Sequence, residues 1–208
     1  GSAAISPDIP PGTSIADIEL FKPSELRGAI KVTGQNGRLR YGVLTAIEDD
    51  ARFHGFDNLG SSVRLEQQGR DFGVLRLSYE DSSAGLRSLG WMTTAVMHPD
   101  RDVLVHGVDG HYISASSNWA TDLQLIYSDI EGLHGYGGLG DLSYIPRKGV
   151  THKLTFDYLD DQLDINDFGF LRRNDVLGMK YAYTNNRTDL QRLRRWDRSL
   201  SLAQKYNR

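Results

Sequence analysis

The chain has 208 residues, the length of one domain or of one domain with an arm, and 24 Lys plus Arg against 27 Asp plus Glu leave a net charge of −3. A balance this close to neutral excludes the basic excess of a dedicated nucleic-acid binder. The absence of cysteine excludes disulfide frameworks, thiolate-bound zinc, iron–sulfur clusters and cysteine nucleophiles.

Gly1-Ser2 reads as a cleavage scar, so the native N-terminus is expected to be missing and nothing follows about export. Residues 1–27 hold Pro7, Pro10, Pro11 and Pro23, four of the six prolines, and show no sustained period; they are read as an arm or linker ahead of a β domain over 28–208. From Ala29 the hydrophobic period becomes two. Ile30 to Thr33, then Asn36-Gly37, then Leu39 to Thr45 predicts a hairpin with a type I′ turn, because Asn-Gly accepts positive φ at both central positions. Further along, Leu89, Trp91, Thr93, Ala95 and Met97 alternate with smaller residues, and Trp119, Leu123, Leu125 and Tyr127 oppose Ala120, Asp122, Gln124 and Ser128. His152, Leu154, Phe156 and Tyr158 oppose Thr151, Lys153, Thr155 and Asp157, and Met179, Tyr181 and Tyr183 oppose Lys180, Ala182 and Thr184. Side chains alternate faces along a strand, so each run has one apolar side and one polar side.

About ten such strands are expected, most of them roughly 9 to 12 residues long, which exceeds the ~5 to 6 usual in soluble sheets and matches the ~9 to 11 that tilt across a bilayer. Asn36-Gly37, Ser117-Asn118 and Asn185-Asn186 read as tight turns, whereas 48–60 and 160–167 read as longer loops. Short turns at one end and long loops at the other describe an outer-membrane barrel. The fold expected is therefore all-β, an antiparallel up-and-down β-barrel or partial barrel. A soluble sandwich or lipocalin-like barrel produces the same periodicity, and only the environment of the bulky face separates the two.

Two blocks carry a family resemblance. Gly28-Ala29-Ile30-Lys31-Val32-Thr33-Gly34 with Tyr41-Gly42-Val43-Leu44-Thr45-Ala46 resembles the opening barrel hairpin of a bacterial outer-membrane family of unknown function. Asp167-Phe168-Gly169-Phe170-Leu171-Arg172-Arg173-Asn174-Asp175 resembles the family's recurrent glycine, aromatic, double-arginine, Asn-Asp strand. Val74-Leu75-Arg76-Leu77 and Val105-His106-Gly107-Val108-Asp109-Gly110 fall between them in the expected order, so the likeness covers roughly 28–190. Members usually carry a carbohydrate-binding, family-9-like sandwich ahead of a large barrel. The resemblance implies an outer-membrane location, lipid as one partner, and passage or handling of a glycan or other small solute. No sandwich precedes Gly28 and family barrels continue for more strands, so a truncated, split or short barrel is expected.

The remaining motifs argue against catalysis and cofactors. Gly135-Tyr136-Gly137-Gly138-Leu139-Gly140 spells G-x-G-x-x-G, but Asp141 to Ile145 continues as a strand where a dinucleotide site needs a helix N-terminus; the glycines are read as room for close approach. Strand parity places Asp109 and His111 on one face and His106 on the other, too few convergent ligands for a metal. The acidic run Asp157, Asp160, Asp161, Asp164 and Asp167 lacks the order of an EF-hand loop and reads as a solvated loop. No G-x-S-x-G element or triad order is present, so no catalytic residue is assigned. Arg187, Arg192, Arg194, Arg195 and Arg198 around Trp196 suit lipid phosphates better than nucleic acid in a near-neutral chain. The candidate lumen or ligand residues are Arg172, Arg173, Asp109, His111 and Asp157. One of the two arginines is expected to point inward from a strand and to pair with Asp109, Asp157 or Asp175.

Overall fold

A computed structural model describes residues 9–16, 25–167, 169, 171, 173–188 and 194–207. The described chain is all-β, with thirteen strands: β1 Ser14–Ile15, β2 Leu26–Asn36, β3 Leu39–Glu48, β4 Ala51–Phe56, β5 Ser62–Gln67, β6 Asp71–Asp81, β7 Gly85–Met97, β8 Val103–Ser114, β9 Trp119–Ile130, β10 Leu133–Arg147, β11 Val150–Leu159, β12 Val176–Arg187 and β13 Trp196–Asn207. Ten of them form one antiparallel meander in the order β13-β12-β11-β10-β9-β8-β7-β6-β3-β2, and β1-β4-β5 form a small sheet in which β4 and β5, inserted between β3 and β6, are joined by β1 from ahead of β2. The strands of the large sheet run from 10 to 15 residues, somewhat longer than the sequence period suggests.

The sheet is open rather than closed into a barrel. Every strand pairs with its neighbours in the meander, so among the described residues the first and last, β2 and β13, each pair on one side only. The connections divide in part as expected. At one end lie the short 37–38, 82–84, 115–118 and 148–149 together with the longer 188–195; at the other lie 49–70, 98–102 and 160–175, with the short 131–132 among them.

Two turns differ from their sequence reading. Asn36 pairs with Leu39, so Gly37 and Arg38 are the central residues, and only Gly37 has positive φ, 58°. That is the II′ pattern, with glycine at the first central position, rather than I′. A turn with both central residues at positive φ occurs instead at Glu131 (53°) and Gly132 (82°), where Asp129 Oδ1 accepts the Gly132 N–H at 3.0 Å. Asn185-Asn186 is no turn; both residues lie inside β12, paired with Arg198 and Asp197. The segment 48–60 is not an open loop either, since it contains β4, whose Phe53 is 2% exposed.

Register places every bulky strand face on the same side of the sheet. Tyr41 opposes Leu77, Leu77 opposes Trp91, Trp91 opposes Val108 and Val108 opposes Leu125. The row continues through Gly138 and Tyr158 to Leu177 and Tyr206. This apolar face is solvent-exposed: Ile30 66%, Leu123 58%, Leu125 64%, Phe156 44% and Leu202 60%. The opposite face carries most of the charges of the strand interiors and most of the burial, with Val96, Val103, Ser128 and Val176 covered toward the loop end, while Arg87, Asp129 and Arg198 stand near strand ends on the apolar side. A soluble sheet buries its apolar face and wets its polar one; here the distribution is inverted.

Candidate functional site: a charged sheet face

The polar face is organised around pairs that cross strands. Arg76 on β6 and Asp109 on β8 are two strands apart, yet they form a bidentate pair, with Nη2 donating to Oδ2 at 2.9 Å and Nη1 to Oδ1. The intervening strand makes this possible. Gly90 of β7 lies beside them, and a Cβ there would come within 2.7 Å of both Asp109 carboxylate oxygens and onto the Arg76 guanidinium. The pair therefore bridges over a residue that has no side chain. One row nearer the turn end, His111, Asp122, Asp141 and Thr155 stand directly opposite one another on β8, β9, β10 and β11. His111 Nδ1 contacts Asp122 Oδ1, Thr155 donates to Asp141 at 2.6 Å and Lys153 Nζ reaches the same oxygen at 3.1 Å. Asp122 and Asp141 face each other as like charges, an arrangement that costs energy in a sheet and is relieved on each flank by His111 and Lys153.

The sequence placed Asp109 and His111 on one face, His106 on the other and Asp157 on the polar side of its own strand, and register does the same and brings Asp109, His111 and Asp157 to a common face. Asp157 leans over Gly178, where a Cβ would be 3.4 Å from its carboxylate. Among the described residues of 160–175 none lies in a strand: Arg173 is exposed before β12 begins, without the face alternation of a strand, and Arg172, Phe168 and Phe170 lie outside the described residues. The guanidinium that meets Asp109 belongs to Arg76. Its parity in Val74-Leu75-Arg76-Leu77 was legible, but the two-strand reach over Gly90 was not.

Among the described residues of 160–175 the acidic run has internal uses. Leu163 is 1% exposed because Gly135 and Gly137 leave room for it; a Cβ on Gly135 would fall on the Leu163 backbone, and one on Gly137 would lie 2.8 Å from Leu163 Cδ2. The close-approach reading of G-x-G-x-x-G therefore holds. Asp164 N–H donates to Ser128 Oγ at 3.2 Å, Asp160 accepts the Gln162 N–H at 2.8 Å, and Asp164 accepts the Asn166 N–H at 3.0 Å. Arg101 from the neighbouring loop ties to Asp167 at 3.0 Å and Asp164 at 3.6 Å. The Asp161 carboxyl is held above its ordinary range, first by its hydrogen bond with Asp160. In the 49–70 connection, Arg27 and the Asp50 N–H hold the Asp49 carboxyl below its ordinary range. His98, 5% exposed, accepts the Asp100 N–H on Nδ1 at 3.1 Å and faces the Gln68 carbonyl with Nε2 at 3.2 Å, so Nε2 carries the proton.

The apolar face has its own order. Rings cluster at two levels. His106, Tyr127 and Tyr136 share a row toward the loop end and Trp91, in the row of Val108 and Leu125, stacks on His106, with successive centroids from Trp91 6.2, 6.1 and 5.4 Å apart. Trp119, Tyr144, His152 and Tyr183 lie toward the turn end, at 4.2, 6.1 and 5.1 Å. Aliphatic Leu123, Leu125, Leu142 and Leu154 occupy the band between them. Trp119 and Tyr127 bound the band on β9, and at ~3.4 Å per residue with a tilt near 40° they stand roughly 21 Å apart along the sheet axis.

Among the described residues no cluster of three or more His, Asp or Glu could hold a metal ion, and no helix is long and apolar enough to cross a membrane. The chain matches no protein family, no curated protein and no solved structure with which it was compared.

Proposed function

We propose that this chain is a bacterial outer-membrane β-barrel, or part of one, that passes or handles a glycan or another small solute. One observation carries the reading: ten consecutive strands turn their bulkiest side chains, the aromatics and exposed leucines, to one exposed face, and the cross-strand pairs Arg76–Asp109 and Lys153–Asp141 to the other. In water that face leaves Leu123, Leu125, Phe156 and Leu202 uncompensated, at ~25 cal/mol per Å2 of exposed apolar surface. In hydrocarbon the same residues are at no cost, and rings at two levels suit the two interfaces of an apolar band ~25 Å tall. The short-turn end then faces the periplasm and the long-loop end the exterior. The glycan comes from the family resemblance, and the paired charges of the polar face are suited to lining a water-filled path.

The test is partitioning into detergent, heat-modifiable gel migration, and swelling of proteoliposomes in sugars. The reading expects all three to be positive, with faster entry of small sugars than of large ones. A protein that stays monomeric in buffer without detergent and leaves liposomes impermeable would instead be a soluble all-β ligand-binding module.

A further inference from the structure

The polar face is richer in cations at one side and in carboxylates at the other. Lys31, Arg40 and Arg76 stand on β2, β3 and β6 with Glu48 and Glu80 among them, whereas Asp109, Asp122, Asp141 and Asp157 stand on β8 to β11 with Lys153 among them. On the cationic side the face is hollowed into a recess of about 380 Å3, lined by Lys31, Thr33, Arg40, Gly42, Arg76 and Ser78 among others. Gly42 is its floor. It stands directly between Thr33 and Arg76 in the cross-strand row, and a Cβ added there would meet only Thr33 Cγ2 at 3.5 Å and the Val32 carbonyl at 4.0 Å. The space is thus empty because the residue is glycine, and the backbone does not demand glycine.

Two of the three cations are already paired: Arg40 Nη1 lies 3.3 Å from Glu80 Oε2, and Arg76 is held by Asp109. Among the described residues no carboxylate pairs with Lys31. A concave site of a few hundred Å3 with a few convergent polar groups is the usual form of a small-ligand site. One unpaired ammonium, two guanidiniums fixed by their own carboxylates and the hydroxyls of Thr33 and Ser78 suit negatively charged oxygen. The carboxylates of the opposite sector would repel the same ligand.

We propose that this recess binds the anionic group, carboxylate or phosphate, of a small solute, with Lys31 as the primary charge and Gly42 as the space that admits it. The proposal rests on the solute-handling reading for its biological sense, but the recess is tested on its own. The experiment is calorimetric titration of the full chain with glucuronate, glucose 6-phosphate and glucose, both in detergent micelles and in detergent-free buffer. At least one of the two anions should bind saturably and about tenfold or more tighter than glucose. Lys31→Gln, which removes the charge, and Gly42→Val, which fills the recess and keeps every charge, should each weaken that binding about fivefold or more. Lys180→Gln, which removes the same charge elsewhere on the polar face, should leave it within about twofold, and the circular dichroism of all three variants should match the parent. Preference for one anion over the other identifies the group. If neither anion binds, or Gly42→Val binds like the parent, the recess is not an anion site. Failure of detergent partitioning with anion binding intact would overturn the membrane reading alone, and the converse would overturn the recess alone.

Discussion

Single residues carry much of what the polar face can do, and glycine is the informative one. Gly135 and Gly138 belong to the same motif but face opposite sides: Gly135 receives the Leu163 backbone, and Gly138 would bring a Cβ no closer than 3.6 Å to Leu125 Cδ2. Gly135→Ala should therefore displace the 160–175 loop and cost ~1 to 3 kcal/mol in a denaturant titration, as overpacking does, while Gly138→Ala should be near neutral. Equal effects of the two would mean that the loop is not seated on Gly135. Asp161 supplies a pH dependence. Its carboxyl pKa is raised in the folded chain through Asp160, so its contribution is fully present below the ordinary carboxylate value of ~3.9 and is lost as pH rises through the raised value. Hydrogen exchange at the Leu163 amide, which donates to the Asp160 carbonyl at 3.3 Å, should accelerate across that window beyond the intrinsic rate. Asp161→Asn should remove this extra acceleration, and identical profiles for the two proteins would contradict the pairing.

At the scale of the element, the two faces of one strand make opposite predictions. Phe156 and Thr155 are neighbours on β11, the first 44% exposed on the apolar face, the second donating to Asp141 on the polar face. Phe156→Arg should cost about 2 to 4 kcal/mol near a bilayer midplane, whereas Thr155→Arg gains carboxylate partners and should be tolerated. A refolding titration into lipid vesicles reads both; similar losses would remove the assignment of faces. Strand existence and parity were legible in the sequence, as in Thr151 to Tyr158, because a period of two is a local property. What was not legible depends on neighbours. Asn185 and Asn186 resemble turn residues but are held in β12 by pairing to β13. Glu48 to Gly60 resembles a loop but contains a strand that pairs with β1 and β5. The segment 167–175 resembles a strand, yet its described residues lie in none: Asn166 accepts the Leu171 N–H at 2.8 Å and Asn174 donates to the Asp161 carbonyl at 2.5 Å. The candidate site divides likewise: parity put Asp109 with His111 and set Asp157 on the polar side of its own strand, and only the three-dimensional register supplied their common face, Arg76, Gly90 and the Asp122–Asp141 opposition.

For the whole molecule, the account depends on what covers the apolar face and the two free edges. An open sheet in hydrocarbon leaves unpaired N–H and C=O groups along β2 and β13, each costing several kcal/mol, so in a membrane both edges must find partner strands. The direct test of the central claim uses the three tryptophans, since Trp91, Trp119 and Trp196 all lie on the apolar face, Trp91 midway along β7 in the row of Leu125, and Trp119 and Trp196 at the turn end. Reconstituted into bilayers whose acyl chains carry bromine at graded depths, the protein should show strong fluorescence quenching both by bromine deep in the chains, from Trp91, and by bromine just below the headgroups, from Trp119 and Trp196, and little by aqueous iodide. Quenching by iodide with none from any brominated chain would place the apolar face out of contact with lipid and would contradict the account.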